Sequence, residues 1–212
     1  MQAMESFSCS SGRPPLTPPA IWGVRMFDIA CEQAPTSGVP RNPYKGHAAL
    51  RRGRTSVPGA EYFLTICTDQ RRTGLATAVP ATAILSEMRN MDADKSWQLR
   101  CALVMPNHVH LLMILGERLS LGKCVGRLKA KTLVFLRTAS TELEWERGLF
   151  DRRIRSDEDR IGLFLYIFLN PYRAGLCART DRWPWYYCRE EDWTWFKDYL
   201  DADRPPPEWL KE

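Results

Sequence analysis

The chain has 212 residues, 44% of them hydrophobic, which suits one domain with a genuine core and some extra arms. Its formal charge of +5 and pI near 8.9 lean toward polyanionic partners. Seven cysteines without a CxxC pair or regular spacing argue against a disulfide framework or a thiolate zinc site, and no apolar run is long enough to span a bilayer. The N-terminus lacks a basic segment followed by an apolar run, so a cytoplasmic, unexported protein with reduced thiols and no membrane partner is expected.

Residues 1–57 are rich in Ser, Pro and Gly and poor in periodic apolar positions, the composition of a loosely ordered arm. Met26 is an alternative initiator within it. The arm ends in a stretch without acids that contains Arg41, Lys45, Arg51, Arg52 and Arg54. From Tyr62 to Thr68 the β-branched and aromatic residues predict a strand. Pro80 to about Met91 reads as a helix with proline near its first turn. Trp97–Met105 is a second strand, Pro106-Asn107 a turn, and His108–Leu115 a third strand that is apolar on both faces and therefore central.

Ser120 is placed to cap a basic helix that carries Lys123, Arg127, Lys129 and Lys131 and runs to about Arg137. A short strand over Gly148–Ile154 and a helix over Asp157–Asn170, stopped by Pro171, complete the pattern. Residues 181–212 form an acidic, Trp-rich extension closed by the prolines of Arg204–Pro207. Eight tryptophans bury large rings, more often in a core than against bases. The alternation predicts an α+β domain over residues 58–180: an antiparallel sheet with a hairpin between its second and third strands and helices on one face.

Two of the three histidines, His108 and His110, stand at the start of the central strand. Strand side chains alternate, so both point to one face at a spacing at which two imidazoles can share a metal ion. The same pattern also occurs as a hydrogen-bonded polar pair. Cys101 is the one nearby thiol, and a buried structural cysteine explains it as well. Two histidines completed by oxygen ligands suit Mg²⁺ or Mn²⁺ held together with a phosphate. Tyr166 and Asn170 lie four apart on one helical face; by themselves they read equally as a core tyrosine and a helix stop.

Four segments occur in order: Pro58-Gly-Ala-Glu-Tyr-Phe-Leu-Thr65, Val104-Met-Pro-Asn-His-Val-His-Leu-Leu112, Gly148-Leu-Phe-Asp-Arg-Arg-Ile-Arg155, and Tyr166-Ile-Phe-Leu-Asn-Pro-Tyr-Arg-Ala-Gly-Leu176. Together they resemble the successive blocks of the REP-associated tyrosine transposases, relatives of the single-tyrosine transposases of small bacterial insertion sequences. The resemblance covers about Pro58 to Leu176. It implies a ferredoxin-like or RRM-like sheet carrying the HUH motif, with His108 and His110 as the metal-binding pair and Tyr166 as the nucleophile. Asn170 stands where insertion-sequence relatives often carry a metal-completing Gln and is the candidate third metal ligand, and Tyr172 stands where these proteins often have a small aliphatic residue.

By the resemblance, the chain would be a metal-dependent DNA transposase and single-stranded DNA endonuclease that cuts and rejoins hairpin-forming, REP-like DNA through a 5′-phosphotyrosine. The REP-associated branch implies a monomer, with a dimer, as in the insertion-sequence relatives, as the alternative. A protein of the same fold that binds hairpins without cutting is the alternative. The helix with Lys123, Arg127, Lys129 and Lys131, and the cluster Arg51, Arg52 and Arg54, are candidate grips on the DNA backbone; a solvated helix face accounts for the former equally well. Ligand histidines must be neutral, so metal binding is expected to weaken as pH falls toward about 6.5, the unperturbed imidazole value.

Overall fold

The computed structural model describes residues 56–155, 158–200 and 206–210. Nearly all of the expected arm, with Arg51, Arg52 and Arg54, lies outside the described residues. Among the described residues there are five antiparallel strands: β1 (Glu61–Cys67), β2 (Trp97–Val104), β3 (His108–Leu115), β4 (Phe150–Arg153) and β5 (Tyr186–Cys188). They stand in the order β4-β1-β3-β2-β5. The helices are α1 (Ala78–Ala93), α2 (Leu121–Ala139), α3 (Glu158–Arg173) and α4 (Glu190–Phe196). The path β1-α1-β2-β3-α2-β4 with strand order 4-1-3-2 is the ferredoxin-like split βαβ arrangement, so the α+β expectation holds.

Sheet parity divides the apolar residues between two cores. Tyr62, Leu64 and Ile66 of β1 join Val109, Leu111 and Met113 of β3 beneath α1 and α2. On α1, Pro80, Ile84, Met88 and Met91 recur at helical spacing, and on α2 Leu121, Cys124, Val125, Leu128 and Leu136 do the same, so each helix turns one stripe to the sheet. Ser120 caps α2 as expected, its Oγ accepting from the Lys123 amide at 3.4 Å. The indole of Trp97, fully buried, donates to the Met88 carbonyl at 3.0 Å and fastens β2 to α1.

The opposite face is not bare. Phe63, Leu103 and Leu112 form a second core with Leu163, Phe164, Ile167 and Phe168 of α3 and Phe196 of α4. A register shift between Leu99 and Cys101 makes this possible. The extra residue, Arg100, lets Trp97 and Leu99 face the first core while Cys101 and Leu103 face the second. Its guanidinium bridges Glu61 (2.9 Å) and Asp192 (2.7 Å through Nε), joining β1, β2 and α4.

Pro171 does not end α3, contrary to the sequence expectation: the helix continues to Arg173. Proline so close to the end removes a single amide bond, while Phe168 and Leu169 on the preceding turn remain packed in the second core. Gly175 makes the real stop, with φ of 67°. Its amide donates to the Tyr172 carbonyl (3.1 Å), and that of Leu176 to the Pro171 carbonyl (2.9 Å).

Residues 186–196 supply an edge strand and a helix that periodicity did not reveal. Tyr172, the unusual residue of the fourth block, explains how this part is tied down. Its hydroxyl donates to the Asp181 carbonyl (3.1 Å) and accepts from the Trp183 amide (3.4 Å) and the Trp209 indole (3.0 Å). Among the described residues, Cys101, Cys124, Cys177 and Cys188 carry free thiols.

Candidate active site

β1 and β3 are paired so that Thr65 lies opposite His110 and Cys67 opposite His108. Both imidazoles therefore face the second core, where α3 crosses the sheet. Their Nε2 atoms approach to 3.1 Å. Each ring is oriented through its other nitrogen: His108 Nδ1 lies 2.7 Å from Asn107 Oδ1, and His110 Nδ1 lies 2.9 Å from Thr65 Oγ1. An amide oxygen only accepts, so His108 carries its proton on Nδ1 and turns the Nε2 lone pair inward. A threonine hydroxyl both donates and accepts, so Thr65 accommodates either tautomer of His110.

Phe63 stacks on His110 with ring centroids 5.4 Å apart. Tyr166, on the face of α3 turned to the sheet, places its ring 5.3 Å from His110 and its hydroxyl 3.4 Å from His110 Nε2. The histidine pair and the tyrosine, 56 residues apart, thus meet at one point. Asn170 follows one helical turn beyond Tyr166 and is partly buried.

Burial depresses the basicity of both imidazoles. It brings His108 down to about 4, with the nearby positive charge of Arg71 adding to the effect. Burial likewise pushes His110 well below the ordinary value, with further lowering from His108 and Arg71. Both rings are neutral at physiological pH and remain so well below 6.5. The expected loss of ligand character near the unperturbed pKa is thereby moved to more acidic conditions.

The donor set fits a divalent cation. Two nitrogen ligands in adjacent octahedral positions, with bonds of about 2.1 Å, stand about 3 Å apart, and the observed separation is 3.1 Å. Among the described residues no third His, Cys, Asp or Glu joins them, so oxygen donors would have to complete the shell. The described residues therefore do not form a closed four-ligand zinc site. Cys101 lies opposite Leu112, one row away from His110, and burial raises its thiol well above the ordinary value; it is a core residue.

The basic helix sits elsewhere. α2 packs on the face away from the histidines. Arg127 pairs with Glu87 (3.0 Å) and Asp94 (2.5 Å), and the Lys129 ammonium donates to the Glu146 and Gly148 carbonyls (both 2.6 Å). Both side chains hold the fold together. Lys123 and Lys131 are exposed. Sequence reasoning missed Thr65, Asn107, Phe63 and Arg71. Asn107, adjacent to the first histidine, carried a signal; the others become visible only through strand register and the loop after β1.

The family described as IS200-like transposases matches residues 56–157. No curated protein matches the chain. Among solved structures, one similar to this chain is a REP-associated tyrosine transposase bound to a REP hairpin, at 20% identity and TM-score 0.48, covering 58% of this chain and 73% of that one. Another is described as a transposase from Deinococcus radiodurans, at 20% identity and TM-score 0.40, covering 59% of this chain and 97% of that one. The family match includes the histidine pair and ends just before α3, leaving Tyr166 outside it. Over residues 56–157, then, the chain is similar to the IS200-like transposases.

Proposed function

We propose that this protein cuts and rejoins single-stranded, hairpin-forming DNA, with Tyr166 as nucleophile and His108 and His110 as the protein ligands of Mg²⁺ or Mn²⁺. The observation that carries the reading is the convergence of two neutral imidazole Nε2 atoms and one phenol oxygen on a single point. The four ordered sequence blocks support placing the protein in the REP-associated branch, with REP-like palindromes as substrate.

A phosphodiester is a poor electrophile and an ordinary phenol, with a pKa of about 10, is mostly protonated at neutral pH. When bound, a divalent cation supplies Lewis-acid stabilisation of charge on the phosphate. His108 and His110 would hold that ion, and Asn107 and Thr65 fix the two rings. Tyr166 Oη forms a bond to phosphorus as the bond to the 3′ oxygen breaks. The phenolic proton is lost, the departing oxygen ends as a 3′-hydroxyl, and the 5′-phosphate stays on the tyrosine. Attack by another 3′-hydroxyl reverses the step and joins strands without ATP.

The test is incubation of the protein with a labelled hairpin bearing single-stranded flanks, with Mn²⁺ or Mg²⁺, beside Tyr166→Phe and an EDTA-treated sample. The expected result is a cleaved strand and a denaturation-resistant protein–DNA adduct, both lost in Tyr166→Phe and after chelation. Tight binding without cleavage would instead identify a hairpin-binding protein of the same fold.

A further inference from the structure

We infer that the edge strand β4 and the cavity at its end form a track for the single-stranded DNA that flanks the cleaved phosphate; this rests on the proposed reading of the site. Four observations converge on it.

First, strand register places two β4 residues beside the histidines. Phe150 lies opposite Thr65 and Arg152 opposite Phe63, so both stand on the face that carries His110 and Tyr166. Second, the rings are continuous. His110 stacks on Phe63, and Phe63 meets Phe150 edge to face at 6.4 Å. Phe150 is 36% exposed, so the row that begins at the buried His110 ends in an aromatic surface open to solvent. An exposed ring at the rim of a nuclease site is a stacking platform for an unpaired base, whatever the base.

Third, the strand leads to a cavity of about 260 Å³ lined by Gly59, Ala60, Glu61, Ile114, Ile154, Arg155 and Arg160. Glu61 belongs to the same face, four residues from Thr65, so the cavity lies about 13 Å along β1 from the histidines. Its one acid, Glu61, is already neutralised by Arg100 (2.9 Å) and Arg160 (2.8 Å). Arg155, at its mouth, is exposed. Fourth, α3 packs chiefly on β2 and β3 and meets β1 through Phe63 and Glu61, so the edge strand β4 is the side from which a chain can approach Tyr166. Asp151, the acid within β4, lies opposite Leu64 and faces the other side of the sheet.

An unpaired strand would stack its base on Phe150 next to the scissile phosphate, pass its backbone over Arg152, and reach the cavity where the exposed Arg155 receives the next phosphate. The expected basic helix α2 has no part in this path.

The test uses the full chain carrying Tyr166→Phe, so that binding is measured without cleavage, and two fluorescent DNAs: a hairpin with single-stranded flanks and the same hairpin without them. Phe150→Ala, Arg155→Gln and the pair Arg152→Gln/Arg155→Gln are compared with Arg153→Gln, which removes a charge from the same strand on the opposite face. The flanked hairpin is expected to lose about tenfold in affinity with Phe150→Ala and with the arginine pair. Arg155→Gln, at an exposed position that leaves folding intact, loses a smaller share in the same direction. The salt dependence of the pair falls by about 0.7 in slope per phosphate contact removed. The flankless hairpin and Arg153→Gln should change less than twofold. Equal losses on both DNAs, losses with Arg153→Gln as large as with Arg152→Gln/Arg155→Gln, or no change in any variant would overturn the track. Absence of an adduct in the wild type together with flank-specific binding losses would overturn the nicking reading and leave the track standing.

Discussion

Thr65 illustrates how one hydroxyl governs the chemistry of its neighbour. It is buried and holds His110 through Nδ1, so the ring can turn Nε2 only toward His108 and Tyr166. Thr65→Val keeps the shape and removes the oxygen. Metal affinity, measured by Mn²⁺ titration, is expected to fall about 10- to 100-fold with the thermal transition still cooperative. The histidines also make stability depend on pH. His108 has a folded pKa of about 4 against an unfolded value of 6.5, so between these values the unfolded chain binds a proton that the folded one refuses. In metal-free protein its contribution is fully present above 6.5 and declines as pH falls, by about 3 kcal/mol at pH 4. Urea unfolding across that range should follow this slope; flat stability from pH 6.5 to 4 would contradict it.

At the scale of elements, α2 shows how packing redirects charge that helical spacing alone would leave at the surface. Its basic residues have helical spacing, but packing turned Arg127 toward Glu87 and Asp94, joining α2 to α1 and to the turn before β2. Arg127 and the Ser96 hydroxyl hold Asp94 at about 2, the hydroxyl contributing most. Arg127→Ala is expected to cost about 1–2 kcal/mol of stability in urea unfolding while leaving hairpin affinity within twofold, the reverse of a backbone-gripping residue. The termini of α2 and α3 tell a complementary story. Ser120 was legible as a cap because its effect is local. Pro171 was misleading because the apolar turn that carries the helix past it is held by the second core.

For the molecule as a whole, the second core is what makes the site. Without α3 and α4 the histidine face would be an open sheet surface, and the low basicity of His108 and His110, which comes chiefly from burial, would be lost. Phe196 anchors this layer. It is fully buried, stacks on Phe164 at 5.2 Å, and meets Phe168 and Trp193 edge to face. Phe196→Ala is expected to destabilise the protein by about 3–5 kcal/mol. It should also raise the pKa of His108 toward the ordinary value, read from imidazole resonances; an unchanged His108 titration would separate the C-terminal segment from the site. Residues 181–210, which looked like an appendage of tryptophans and acids, contribute a strand, a helix and the Asp192 partner of Arg100, to the extent that they are described.

The sequence by itself determined what depends on near neighbours and on alternation: the strands β1 to β4, the helices α1 to α3 and the two-sided burial of β3. It also determined the pairing of His108 with His110 on one face and the ordered blocks that pointed to a tyrosine transposase. Tertiary structure decided everything that needed two distant segments to meet. The register of β1 on β3 brought Thr65 to His110, and the extra residue Arg100 redistributed β2 between two cores. The crossing of α3 set Tyr166 against the histidines. β5 and α4 are too short to declare themselves by periodicity, and they exist because an edge of β2 and a bare face of the sheet were there to receive them.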